Sequence, residues 1–137
     1  ATHITPLIIN QGFSKVVIHI GTNDINRGYA ATVLEANITT IVNTLLAAGW
    51  SSSNIYICNI YGMALFSSTE EVQRLAYNSW LATFCSTNGC NLVDDNINMT
   101  DFSTNPDTML AIYNGGDGAH PNALGFAKIA SNIYNSI

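Results

Sequence analysis

Residues 15–21 read KVVIHIG, a nearly continuous run of apolar, mostly β-branched residues that ends in a glycine. This composition is typical of a strand that is buried on both faces, because neither side of such a strand faces water. Residues 54–61 (NIYICNIY) repeat the pattern, and residues 91–93 (NLV) predict a third, shorter strand. The three runs together predict three parallel strands of one sheet.

Helical patterns alternate with these strands. Residues 31–50 and 70–84 carry apolar side chains at three- and four-residue spacing, and Thr69 is placed to cap the second of these helices. Pro121 opens a final helix, since proline is favoured at the first helical position. The alternation predicts an α/β protein with a flavodoxin-like three-layer α/β/α fold and a parallel sheet. Three strands are few for a buried parallel sheet, and we therefore expect N-terminal strands to be missing from it.

Length and composition restrict the class of partner. The chain has 137 residues, which predicts a single domain over residues 1–137, and because it begins at Ala1 we expect that domain to be N-terminally incomplete. Charged residues make up only 9% of the chain, and the net charge is -5. A nucleic acid is not an expected partner, because binding its phosphates requires a basic surface. The apolar runs are also too short to span a membrane, which takes about 20 residues.

The surface composition predicts an extracellular location. Asn, Ser and Thr contribute 41 of the 137 residues, so amides and hydroxyls rather than charges solvate the surface. Cys85 and Cys90 flank a turn-forming run, Ser-Thr-Asn-Gly, which leaves a disulfide and a pair of reduced thiols as open alternatives. Asn37 and Asn98 each begin an N-x-T sequon, which is compatible with secretion.

Two polar clusters are candidates for a functional site, one directly after the first predicted strand and one directly before the final predicted helix. Parallel sheets bind ligands at the carboxyl ends of their strands. Gly21-Thr22-Asn23-Asp24 follows the first strand, and the Asn23 amide is a neutral donor suited to an oxyanion, although a simple turn explains the same residues. Asp117 stands three residues before His120 on a glycine-rich loop, a spacing that lets the carboxylate hold Nδ1 and leaves Nε2 as a base. A turn with a capping histidine is the alternative. No metal site is expected there, because further ligands are absent nearby, and no cofactor is expected.

Taken together, the segments IHIGTNDIN and DGAHPNALGFAKIA resemble the third and fifth sequence blocks of the SGNH, or GDSL-type, hydrolase family, in the same order. The resemblance implies a serine esterase that acts on acyl or acetyl esters of carbohydrate or lipid. It implies Asn23 as the oxyanion donor, His120 as the general base and Asp117 as the residue that orients the base.

The first two blocks of that family are absent, and with them the Gly-Asp-Ser that supplies the nucleophile. Ser14 precedes the first strand, at the end of the sheet opposite to the two clusters. Ser67 and Ser68 follow the second strand on the correct side, but as residues that begin a helix they are predicted to be caps. We therefore expect the isolated chain to be inactive, and a companion fragment or a homodimer to complete the sheet.

Three further expectations concern the surroundings of the site. The loop after the second strand carries side chains that would line a substrate pocket: Tyr61, Met63 and Phe66. Asp94 and Asp95 are adjacent in a strand-like segment, so their side chains point apart, and solvated or capping roles are predicted for both. A non-catalytic, hydrolase-like module for carbohydrate binding or assembly is the alternative to an enzyme.

Overall fold

A computed structural model describes residues 12–137 of the chain, and its centre is a parallel sheet. The strands β1 (Val16–Ile18), β2 (Ile55–Cys58) and β3 (Asn91–Val93) pair in that order. The register sets Val16 opposite Ile55 and Tyr56 opposite Asn91. The three predicted strands are confirmed, but β1 and β2 are shorter than predicted. Beyond β2 the backbone of Ile60 bonds to the Asn78 side chain instead of to a neighbouring strand.

Helices and a short hairpin connect and follow these strands. In chain order they are α1 (Thr22–Asn26), α2 (Ala31–Ala47), a 3-10 turn (Ser52–Asn54), α3 (Ser68–Asn88), α4 (Asp95–Met99), β4 (Thr100–Asp101), β5 (Thr108–Met109) and α5 (Ala123–Ser136). Long helices stand where they were predicted, but the last begins at Ala123 with Asn122 as its N-cap, so Pro121 precedes this helix and does not open it. The elements α1, α4 and the hairpin were not predicted. None of the helices within residues 12–137 has both the length and the hydropathy of a membrane span.

The sheet is covered by helices on both faces. Ile18 and Ile57 point to one face, where they join a core formed with apolar side chains of α2 and α3, among them Leu34, Ile38, Leu45, Tyr77 and Leu81. Tyr56, Cys58 and Val93 point to the other face and pack with Ile133 of α5. Because side chains alternate along a strand, the buried residues of one strand supply both cores. The predicted three-layer α/β class is confirmed.

Neither edge of the sheet has a further strand among the described residues, since β1 and β3 each pair with β2 alone. Within residues 12–137, β1 pairs with β2 alone, and its other edge has no strand partner. Val16 and Val17 are half-buried there, and Ile20, just beyond the strand, is 47% exposed. All three strands run the same way, so the segments that follow them meet at one end of the sheet.

Candidate active site

The turn after β1 places Asn23 at the carboxyl end of the sheet. Gly21 has a φ of 111° at the start of α1, a conformation open to glycine and strained for other residues. A β-carbon at this position would lie 3.0 Å from a methyl group of Leu34. Ile25 is fully buried and fixes the short helix against the core, which leaves the Asn23 side chain on the exposed side.

The glycine-rich loop before α5 brings Asp117 to His120. One oxygen of Asp117, Oδ1, accepts hydrogen bonds from the backbone N–H groups of Ala119 and His120, at 2.9 and 2.8 Å. The other, Oδ2, lies 2.6 Å from His120 Nδ1. Gly118 has a φ of 76°, and a β-carbon there would approach the Ala64 β-carbon to 2.9 Å. The loop therefore depends on glycine at this position.

The charge of Asp117 determines which nitrogen of His120 is free. The backbone N–H of His120, its ring and the N–H of Ala119 hold the pKa of Asp117 well below the usual range, so this group is a carboxylate at neutral pH. A carboxylate only accepts hydrogen bonds, and Nδ1 must therefore carry the proton of a neutral imidazole. Nε2 then has a free lone pair and is able to accept a proton. Both side chains are accessible, with 80% of the His120 side chain exposed.

A cavity of about 510 Å³ lies between the turn after β1 and the glycine-rich loop before α5. Asn23 and His120 both line it, and so do Tyr61 and Met63 of the loop after β2. Phe66, which was predicted as a third pocket residue of this loop, does not line the cavity. Only 3% of it is exposed, because its ring packs into the main core, and the prediction is wrong for this residue.

Other cavity residues were not predicted from the sequence. They include Thr22, Asn26, Leu65 and Phe126, and also His19, which follows β1. Leu65 and Phe126 are 53% and 59% exposed, and they provide the apolar wall that Phe66 was expected to provide. The sequence position of Phe126 could have indicated its place in the cavity. It lies one helical turn after Asn122, which caps α5 and follows His120 by two residues.

A buried arginine fixes the loop that carries Tyr61 and Met63. Arg74 of α3 is fully buried and donates to the carbonyl oxygen of Ile60 at 2.9 Å. The amide of Asn78 also donates to this carbonyl, at 2.7 Å, and the N–H of Gly62 donates to Thr100 Oγ1 at 2.8 Å. The loop is therefore held by side chains of α3 and of the hairpin. Sequence patterns did not identify Arg74.

The serines that follow β2 begin a helix. Ser67 is the N-cap of α3, where its Oγ accepts from Glu70 N–H at 3.3 Å and Glu70 Oε2 accepts from Ser67 N–H at 2.7 Å. The predicted capping role is confirmed for Ser67, and Thr69 is not the cap. Ser68 is the first residue of the helix, and Ser14 precedes β1 as predicted. Among the described residues that line the cavity, none is a serine.

The capping geometry predicts a stability change without a change in activity. Ser67→Ala removes the side-chain acceptor at the helix start and is expected to lower the free energy of unfolding by about 1 kcal/mol. Ser86→Ala, on the exposed surface of the same helix, is the matched control and is expected to change it by less than about 0.5 kcal/mol. Urea denaturation measures both. Equal effects at the two positions would contradict the capping assignment.

Cys85 and Cys90 are free and buried thiols in this structure, which is the second of the two alternatives given for them.

The adjacent acids Asp94 and Asp95 differ in their surroundings. Asp94 caps α4 through a bond from Ile97 N–H at 3.0 Å, as predicted. Asp95 is fully buried, so the prediction of a solvated or capping role is wrong for it. The α5 layer covers this side of the sheet, and a bond from Asn132 replaces water at Asp95.

Comparison with known proteins identifies the family. A sequence model of the GDSL-like lipase/acylhydrolase family matches residues 5–128. The chain therefore belongs to this family, and the resemblance that the two motifs indicated is confirmed. No curated protein sequence matches the chain.

Solved structures share the fold. A GDSL-like lipase from Bacteroides thetaiotaomicron matches with a TM-score of 0.78 and 20% identity, over 93% of this chain and 63% of that one. A carbohydrate esterase family 3 protein from Talaromyces cellulolyticus gives a TM-score of 0.66 and 22% identity, over 92% and 57% of the two chains. An acetyl esterase mutant with acetate ion gives 0.60 and 21%, over 85% and 54%. The present chain spans less than two thirds of the length of each.

Proposed function

We propose that the chain is the base-bearing part of a serine ester hydrolase. The single observation that carries this proposal is the cavity that holds both Asn23 and His120, with Asp117 bonded to the far side of the imidazole. A hydrogen-bond donor and an oriented base on one cavity are two of the components that acyl transfer requires. Family membership supports the same reaction.

The roles follow from the atoms. Nε2 of His120 takes the proton of a serine hydroxyl as its oxygen attacks the ester carbonyl, and Asp117 holds the imidazole in the required tautomer. The Asn23 amide donates to the oxyanion of the tetrahedral intermediate. His120 then returns the proton to the departing alcohol. In the second half of the reaction, water attacks the acyl-serine, His120 takes the proton of that water, and the proton then passes to the departing serine oxygen.

The nucleophilic serine comes from a segment other than residues 12–137. The cavity contains no serine among the described residues, and residues 1–11 contain none in their sequence. Within residues 12–137 one edge of β1 has no strand partner, and the segment that follows β1 lines this cavity, so a further strand with Gly-Asp-Ser at its carboxyl end would complete both sheet and site. Such a segment would belong to the same polypeptide or to a companion chain.

The substrate is an uncharged ester. No Lys or Arg lines the cavity among the described residues, so it offers no cation to a phosphate or carboxylate. Met63, Leu65 and Phe126 form an apolar wall for a short acyl group, and Asn26 and Thr22 offer hydrogen bonds to an alcohol such as a sugar. The named activities of the carbohydrate esterase and the acetyl esterase support an acyl or acetyl ester of a carbohydrate or lipid. An extracellular location fits such a substrate.

A non-catalytic binding module is the second candidate, and the absence of a serine among the described cavity residues favours it. Ester hydrolysis separates the two. The 137-residue chain alone is expected to show no burst and negligible turnover of a short-chain nitrophenyl ester, because the nucleophile is missing. The complemented chain, meaning this chain with a Gly-Asp-Ser segment fused ahead of Ala1 or added separately, is expected to gain about 10³-fold or more in turnover.

Two outcomes would contradict the proposal, the first its hydrolase activity and the second its claim that the nucleophile comes from another segment. One is a complemented chain that binds the ester or its product and does not turn it over, which would establish the binding module. The other is turnover by the isolated chain that Ser67→Ala or Ser68→Ala abolishes, because one of those serines would then be the nucleophile. A Gly-Asp-Ala segment is the matched control, since it restores the sheet without a nucleophilic oxygen.

A further inference from the structure

Three side chains that the proposed ester chemistry does not use meet at the carboxyl end of the sheet. His19 follows β1, Cys58 ends β2, and Asp95 begins α4 directly after β3. One ring nitrogen of His19, Sγ of Cys58 and one carboxylate oxygen of Asp95 all lie within 4.8 Å of one another. The separation between His19 Nε2 and Asp95 Oδ2 is 3.8 Å. The carboxyl end of each strand, or the segment just after it, therefore contributes one side chain to this cluster.

Asp95 provides a second, independent observation. The residue is fully buried, and its Oδ1 accepts a bond from Asn132 Nδ2 at 2.7 Å. Its Oδ2 is buried as well and accepts no bond from a nitrogen or hydroxyl donor among the described residues, and the thiol of Cys58 is the donor that approaches this carboxyl group. Buried carboxylate oxygens without a partner are rare, because removal from water costs free energy that no bond returns. This oxygen is the one that faces His19.

We propose that His19, Cys58 and Asp95 bind one zinc ion. Imidazole nitrogen, thiolate sulfur and carboxylate oxygen are the three ligand types that zinc takes in proteins, at about 2.0–2.3 Å. Tetrahedral ligands at those lengths stand about 3.5 Å apart, close to the observed 3.8 Å between Nε2 and Oδ2. The His19 side chain is 33% exposed, so an ion reaches the cluster from that side and keeps its fourth position for water.

Burial supports an ion rather than a reactive thiol. Zinc takes the sulfur of Cys58 as a thiolate, so binding releases the thiol proton to solvent. Cys58 is also fully buried, which prevents attack on a substrate carbonyl. The ion would link the ends of three strands and satisfy Asp95 Oδ2. It would act on stability, and the ester-hydrolysing groups would remain His120 and Asn23.

Zinc and cobalt titrations of the 137-residue chain, first freed of metal with a chelator, test the proposal. We expect one zinc ion per chain by calorimetry and a higher melting temperature when zinc is present. We expect Co²⁺ to give the near-ultraviolet absorption of a thiolate–cobalt bond. Cys58→Ser is expected to abolish this absorption and to weaken zinc binding by about 100-fold or more, beyond the 10- to 100-fold typical of an outer-shell partner.

The matched control is the other pair of cysteines. Cys85→Ser/Cys90→Ser removes two buried thiols outside the cluster and is expected to leave stoichiometry, affinity and cobalt absorption unchanged. His19→Gln keeps the experiment informative if Cys58→Ser does not fold, because His19 is partly exposed, and circular dichroism checks its fold. Absence of zinc binding would overturn the proposal and leave only the 3.8 Å approach of His19 to Asp95. Binding that disappears with Cys85 and Cys90, or survives in folded His19→Gln at full affinity, would overturn it too.

Discussion

His120→Ala in the complemented chain is expected to lower kcat/KM for a short-chain nitrophenyl ester by roughly 10⁴- to 10⁶-fold. The physical reason is that Nε2 of His120 is the proton acceptor that the cavity offers to an attacking hydroxyl, and alanine leaves that proton in place. The fold is expected to survive, because 80% of the His120 side chain is exposed and its loss removes little packing. Steady-state kinetics with circular dichroism measures both effects. A variant that retains a tenth of the activity would contradict the assignment.

Substitution of Asp117, with Asp101 as the matched control, tests whether orientation of the imidazole is needed for activity. Asp117→Asn removes the charge behind the imidazole and is expected to lower kcat by about 10²- to 10⁴-fold. Asp101 also accepts a backbone N–H with its carboxylate, from Ser103 at 2.9 Å, but it lies on the hairpin outside the cavity. Asp101→Asn therefore removes a similar turn interaction and is expected to leave kcat unchanged. Similar losses in both variants would indicate that the turn, not the imidazole, determines activity.

Arg74→Met is expected to lower the free energy of unfolding by about 3–5 kcal/mol. The guanidinium is fully buried, and all five of its N–H groups donate. Its two carboxyl partners are Glu71, through Nε at 2.8 Å, and Asp107, through Nη2 at 2.7 Å. Methionine fills much of the same space but leaves both carboxylates without a cation, and the uncompensated buried charge is the source of the loss.

Denaturation of two variants measures this effect. Arg27→Met is the control, since Arg27 is exposed, and it is expected to change stability by less than about 0.5 kcal/mol. Arg74 also bonds to the Ile60 carbonyl, so its loss is expected to displace Tyr61 and Met63 in the cavity and to raise KM in the complemented chain. A loss of stability below about 1 kcal/mol in Arg74→Met would show that the three groups do not act as one network.

The class of fold was predictable because its signals are local. Residues 15–21 form a β-branched run ended by glycine, and residues 31–50 carry an apolar stripe, so strand and helix follow from near neighbours in the chain. The ends of these elements were less predictable. Ser67, not Thr69, caps α3, because the reciprocal bonds with Glu70 require a cap three residues before that acid.

Some features of the candidate site were also predictable from the sequence, and others were not. Asp117 and His120 were predicted to meet because three intervening peptide units and a glycine turn fix their distance, and the bond of 2.6 Å lies within that one loop. The position of Asn23 on the same cavity as His120 required the parallel order of the strands, which the alternation of elements indicated. Phe66 was misplaced because its position in the loop does not reveal that it turns into the core.

The sequence by itself determined the three strands of the sheet, the long helices and the aspartate–histidine pair, since each depends on the conformations and hydrogen bonds of residues a few positions apart. Only the tertiary structure decided which side chains from distant segments share a space. Arg74 reaches Asp107 and Ile60, and His19 and Cys58 approach Asp95, through the register of three strands and the packing of α3 and α5. A buried charge or ligand cluster has no period in the chain, because its members are selected by a common point in the fold rather than by their spacing along the backbone.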